Sequence, residues 1–131
     1  MRALLLVALL FCEETRVSIT AGPNPLDAPV LDANTTYVVA PFAPGRRNYL
    51  AFDAQSTGEY SLYLGGHPVA VRVGDEHPAN TTTTKDCMHT VSTYIFEEGE
   101  RYEIELGAIP AGARVLFRIG APEEEEHVAS R

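Results

Sequence analysis

Arg101-Tyr102-Glu103-Ile104-Glu105-Leu106 alternates charge with bulk, and this is the stretch that decides the fold. A strand turns successive side chains to opposite faces, so Tyr102, Ile104 and Leu106 point one way and Arg101, Glu103 and Glu105 the other. Wound as a helix, the same residues would spread both kinds around the circumference. The stretch therefore reads as a half-buried β-strand with one face in a core and one in water.

The pattern continues on both sides. After the turn at 110–112, residues 114–119 place Val115, Phe117 and Ile119 inward and Arg114 and Arg118 outward. Before it, Glu97-Glu98-Gly99-Glu100 is a polar turn, and 87–96 is the longest β-like segment, with Cys87, His89, Val91, Thr93 and Ile95 expected on one face. Further back, 69–73 sets Val69, Val71 and Val73 against Ala70 and Arg72. Residues 59–64 set Tyr60, Leu62 and Leu64 against Ser61 and Tyr63, and 47–53 and 36–40 are two more short runs. Residues 74–86 read as a long polar loop. About seven such strands joined by Gly/Pro turns make an all-β domain over residues 36–121. The expected architecture is an antiparallel β-sandwich, with a jelly-roll or a partly open barrel as its near alternative. Leu62, Val71, Ile104 and Phe117 are expected in its core.

The ends differ from this middle. The chain has 131 residues, enough for one domain with its own core. Met1-Arg2 precedes a nine-residue apolar run, Ala3 to Phe11, which is short of the roughly 20 residues a membrane-spanning helix needs. Residues 1–11 therefore read as an export signal. Residues 12–35 hold Pro23, Pro25 and Pro29 among turn formers and read as a proline-rich lead-in or tether, with a short strand at 16–20. Residues 122–131, with Glu123 to Glu126, read as an acidic tail.

The formal net charge of −8 excludes nucleic acid and anionic lipid as partners, because such a surface repels both. Leu9-Leu10-Phe11-Cys12 resembles the lipobox of bacterial lipoproteins. That resemblance implies a lipid on Cys12, the one route by which this chain would meet a membrane. Cys87 is the only other cysteine, so pairing of Cys12 with Cys87 in an oxidising compartment is the alternative.

Two stretches, Asn48-Tyr49-Leu50-Ala51-Phe52-Asp53 through Gly58-Glu59-Tyr60-Ser61-Leu62-Tyr63-Leu64, and Phe96-Glu97-Glu98-Gly99-Glu100-Arg101-Tyr102, resemble the bacterial pre-peptidase C-terminal family. That family consists of small β-sandwich modules appended to secreted enzymes. The resemblance implies an accessory or binding role outside the cytoplasm.

No glycine-rich phosphate loop, G-x-S-x-G elbow or H-E-x-x-H helix occurs, and no catalytic residue is assigned. Glu103 and Glu105 have the parity of a solvated strand face rather than of paired catalytic acids. Cys87 and His89, two apart on a strand, stand about 6.6 Å from each other on one face, which suits zinc or copper. His67, His77 and His127 would then supply further nitrogen ligands, whereas a buried cysteine beside a hydrogen-bonded histidine needs no metal and no cofactor. Tyr49 and Tyr63, read as exposed, are candidates to stack on sugar rings or to anchor a protein interface. The reading is a non-enzymatic, exported β-sandwich of the cell envelope, periplasmic, outer or secreted, that binds a protein or polysaccharide. A periplasmic metal-binding protein using Cys87 and His89 is the alternative.

Overall fold

A computed structural model describes residues 15–84 and 87–122. Among the described residues ten strands run in order: β1 (Arg16–Thr20), β2 (Val30–Leu31), β3 (Thr36–Ala40), β4 (Asn48–Asp53), β5 (Gly58–Gly66), β6 (Val71–Val73), β7 (Asn80–Thr83), β8 (Met88–Phe96), β9 (Arg101–Leu106) and β10 (Val115–Gly120). They form a six-stranded sheet, β1-β3-β10-β5-β8-β7, and a four-stranded sheet, β2-β4-β9-β6. Pairing is antiparallel except for β1 with β3 and β2 with β4, which are parallel. β10, the last of the described strands, lies inside the larger sheet between β3 and β5.

The two sheets close on a shared core, as in a β-sandwich. From the larger sheet it takes Val39, Leu62, Phe96 and Phe117, and from the smaller Leu50, Phe52, Val73, Ile104 and Leu106. The alternation of β9 carries through, because Ile104 is fully buried between its cross-strand neighbours Leu50 and Val73, while Glu103 is exposed. Leu62 and Phe117 are buried as expected, and Val71 is half-buried against the same core. One end of the core is aromatic. Phe96 of β8 stacks on Tyr102 of β9 with centroids 3.9 Å apart, and Phe52 meets Tyr60 edge-on at 5.6 Å. The tyrosine hydroxyls stay satisfied: Tyr60 Oη donates to the Ser56 carbonyl (2.6 Å), and Tyr102 Oη accepts from the Glu97 amide (2.8 Å).

Asn48, at the head of β4, is fully buried and holds the 40s loop in place. Its Oδ1 accepts from the Phe42 amide at 2.9 Å, and its Nδ2 donates to the carbonyls of Arg46 and Gly107 at 3.2 and 3.1 Å. An amide side chain can sit in the core only when its polar atoms are bonded in this way.

Several expectations change. The strand expected at 16–20 is present as β1, but the described part of the lead-in is built into the sandwich rather than leading up to it: β1 joins the larger sheet, β2 the smaller, and a short 3-10 turn, Pro25–Asp27, links them. The polar loop at 74–86 contains β7, which pairs with β8 through Asn80↔Thr93 to Thr83↔Thr90. Tyr63 and Arg118, read as outward and solvated, do point away from the core, yet both are buried, Tyr63 at 0 % and Arg118 at 1 % exposure. The alternation of β8 also breaks at its start. Leu64 pairs with Thr90 but Gly65 with Met88, so His89 falls in a bulge, and Met88 rather than His89 packs with Tyr63, Val91 and Leu116. Gly65 makes that bulge feasible, since a Cβ there would stand 2.0 Å from the Cys87 carbonyl oxygen.

Candidate functional site

The outward residues of the four-stranded sheet form the candidate surface. β4 and β9 are in register with Tyr49 beside Glu105, Ala51 beside Glu103 and Asp53 beside Arg101. β6 adds Arg72 beside Glu105. Tyr49, Glu105 and Arg72 therefore lie in one row across three strands, because residues paired across a sheet share a face.

A hollow of about 270 Å³ opens over this row, walled by Pro25, Tyr49, Arg72, Asp75, Glu103 and Glu105. Pro25 arrives there because the Gly22 and Tyr49 backbones exchange two hydrogen bonds, at 2.9 and 3.1 Å, which docks the chain just ahead of the 3-10 turn against β4. Gly22 is required at that approach, since a Cβ would stand 2.5 Å from the Asp27 carbonyl oxygen. Arg47 reaches Glu105 at 3.7 Å and offsets part of the acidic charge. At the far end of β9, Arg101 grips Asp53 through two bonds of 2.7 and 2.8 Å. The Arg101 hydrogen bond, helped by its charge, holds the Asp53 carboxyl below its ordinary range, and desolvation opposes it only in part.

Chemically the hollow offers an amphipathic ring, acceptors on Glu103, Glu105 and Asp75, and a donor fork on Arg72. Among the described residues no group of three His, Cys, Asp or Glu is placed to hold a metal ion.

The sequence-predicted residues fall elsewhere, apart from Tyr49. Tyr49 is half-buried in the wall of the hollow. Tyr63 lies on the other sheet and is sealed from solvent, so it presents no ring to a ligand; its strand is covered on both faces. Cys87 is disulfide-bonded, and a sulfur in that state offers a metal no thiolate. His89 Nδ1 bonds Thr90 Oγ1 at 2.8 Å. His67 follows β5, half-buried, with its amide donating to the Arg114 carbonyl, and His77 is exposed beside Tyr94 in a separate hollow of about 440 Å³. Cys12 and His127 lie outside the described residues. Arg72 and Asp75 were missed. The signal for Arg72 was present in its outward parity, but only the strand order β4-β9-β6 brings it beside Glu105.

No protein-family model matches the chain, and no curated protein sequence matches it.

Proposed function

We propose that the protein is a non-enzymatic glycan-binding module that works outside the cytoplasm, with the Tyr49, Glu105 and Arg72 row as its binding face. The observation that carries this reading is the hollow itself, in which one aromatic ring stands among carboxylates and a guanidinium. A sugar ring presents an apolar C–H face and a rim of hydroxyls. Tyr49 takes the face, Glu103, Glu105 and Asp75 accept from hydroxyls, and Arg72 donates to them. Glu103 is exposed and Glu105 shares Arg47, so neither has the apolar enclosure that makes a carboxyl a general acid. The disulfide at Cys87 supports an oxidising compartment. The likeness of 48–64 and 96–102 to the pre-peptidase C-terminal family supports an accessory role beside other exported proteins.

The test is binding of the purified chain to soluble cell-envelope polysaccharide by calorimetry. Tyr49→Ala should weaken binding by about tenfold or more, the scale of one lost aromatic anchor. Glu59→Ala, on the larger sheet, should leave it unchanged. Equal affinity of Tyr49→Ala and the parent chain, or retention of an envelope protein instead of polysaccharide, overturns the reading.

A further inference from the structure

The segment joining β6 to β7 crosses from one sheet to the other. The Gly74 amide donates to the Glu103 carbonyl of β9 at 2.9 Å, on the four-stranded sheet, and the Ala79 amide donates to the Thr93 carbonyl of β8 at 2.7 Å, on the six-stranded one. Between these ties the Glu76 amide donates back to the Val73 carbonyl at 2.9 Å, a tight turn that Gly74 permits by its positive φ of 49°. Three hollows meet along this segment. The one over the Tyr49 row shares Arg72, Gly74 and Asp75 with a second, of about 440 Å³, that reaches His77 and Tyr94. The second shares Glu76 with a third, of about 410 Å³, bounded by Ile95, Glu97, Glu100 and Tyr102. Each has one tyrosine in its wall, and the third adds Ile95, an apolar side chain that is 53 % exposed.

We propose that the three hollows are one groove, and that it takes an extended strand of a linear amino-sugar polymer with free amines, gripped along several successive rings. This rests on the reading of the Tyr49 hollow as a glycan site and adds to it the length and the charge of the ligand.

The shared walls carry the length. At about 270 Å³ the Tyr49 hollow alone falls below the roughly 300 Å³ at which sites for small ligands begin, so one ring held there is held weakly. A strand that continues past Arg72 and Asp75 enters the second hollow, and Glu76 leads it into the third. A polymer repeats one unit, and the groove repeats one kind of wall, a tyrosine among carboxylates. At the far end the ring is fixed in advance, because Tyr102 stacks on Phe96 at 3.9 Å and its hydroxyl accepts from the Glu97 amide. The charge selects the class of polymer. Among the described lining residues, Asp75, Glu103 and Glu105 edge the first hollow, Glu76 the join, and Glu97 and Glu100 the third, against one guanidinium, Arg72. A groove so lined repels uronate, sulfate and phosphate groups and draws in an ammonium on each ring, which brings donors to a row of acceptors. An exposed ion pair is weak by itself, so the strand is held by several at once.

Calorimetry of the full chain with β-linked glucosamine oligomers, from dimer to hexamer, in a mildly acidic low-salt buffer that keeps the amines charged, reads the groove directly. Affinity should rise about a hundredfold from dimer to hexamer, roughly tenfold for each further hollow filled. The N-acetylated hexamer, which lacks the charges, should bind about tenfold or more weakly than the free-amine hexamer. Glu97→Gln/Glu100→Gln changes only exposed side chains at the far hollow, and should lower hexamer affinity about tenfold while leaving that of the dimer unchanged. Equal affinity of dimer and hexamer, or of the double variant and the parent chain for the hexamer, overturns the groove. Equal affinity of the N-acetylated hexamer, or of a hexalysine peptide, overturns the amino-sugar assignment, and so does failure of every glucosamine oligomer to bind. None of these results touches the glycan reading itself, which Tyr49→Ala judges separately on envelope polysaccharide.

Discussion

Replacing Ile104 by Ala removes three carbons from the middle of the core, where the side chain has no exposed surface and lies between Leu50 and Val73. At about 0.8 kcal/mol per buried methylene the lost transfer energy is roughly 2.4 kcal/mol. The neighbours sit on rigid, paired strands and relax little, so an unfilled cavity adds to that and carries the total into the range of about 2 to 5 kcal/mol. Glu103, one residue away, points into water, and Glu103→Ala should change stability by less than about 0.5 kcal/mol. Urea unfolding of both variants, followed by far-ultraviolet circular dichroism, compares them at once. Ile104→Ala should move the midpoint strongly with little change in slope, and Glu103→Ala should barely move it. Equal losses at 103 and 104 would falsify the register of β9, because a one-residue slip exchanges the two faces of a strand.

Two further outcomes rest on single contacts. Asn48→Ala strands the Phe42 amide and the Arg46 and Gly107 carbonyls, and should cost about 1 to 3 kcal/mol in the same unfolding assay; a loss no larger than that of Glu103→Ala would show those bonds to be replaced by water. Asp53 is held below its ordinary carboxyl range by Arg101, so its share of stability is present above the unfolded-state value and fades as pH falls through the lower folded-state value. Arg101→Gln should therefore raise the Asp53 midpoint in a carbon-13 carboxyl titration, and an unmoved midpoint would mean that the two bonds do not persist in solution.

Period-two patterning carried most of the fold. β9 and β10 were legible because each sets large apolar side chains against polar ones, and parity alone placed Ile104 and Phe117 in the core. Parity does not say whether a face is covered. Parity puts Arg118 and Tyr63 on the correct side but in the wrong environment, since around these two residues β10 and β5 are buried on both faces. β7 was invisible because Asn80-Thr81-Thr82-Thr83 is an edge strand with no apolar residue at all. β2 is two residues long, below any periodic signal, and exists because it is held alongside β4. The bulge at His89 depends on a close backbone approach at Gly65, and spacing within 87–96 carries no trace of it. Of the candidate surface, Tyr49 was found from its residue type. The rest of the row needed strand order, a property of long-range pairing.

The place of β10 also bears on how the chain reaches its native state. Neighbours β3 and β5 are joined to each other only through it, so the larger sheet is two separate fragments until residues 115–120 arrive. A chain emerging N-terminus first, from a ribosome or a translocation channel, can form the β7–β8 hairpin and pair β8 with β5 but cannot complete the larger sheet until β10 is free. Folding is then a late, all-at-once event with high contact order, and the chain stays unfolded and threadable for as long as its last strand is withheld.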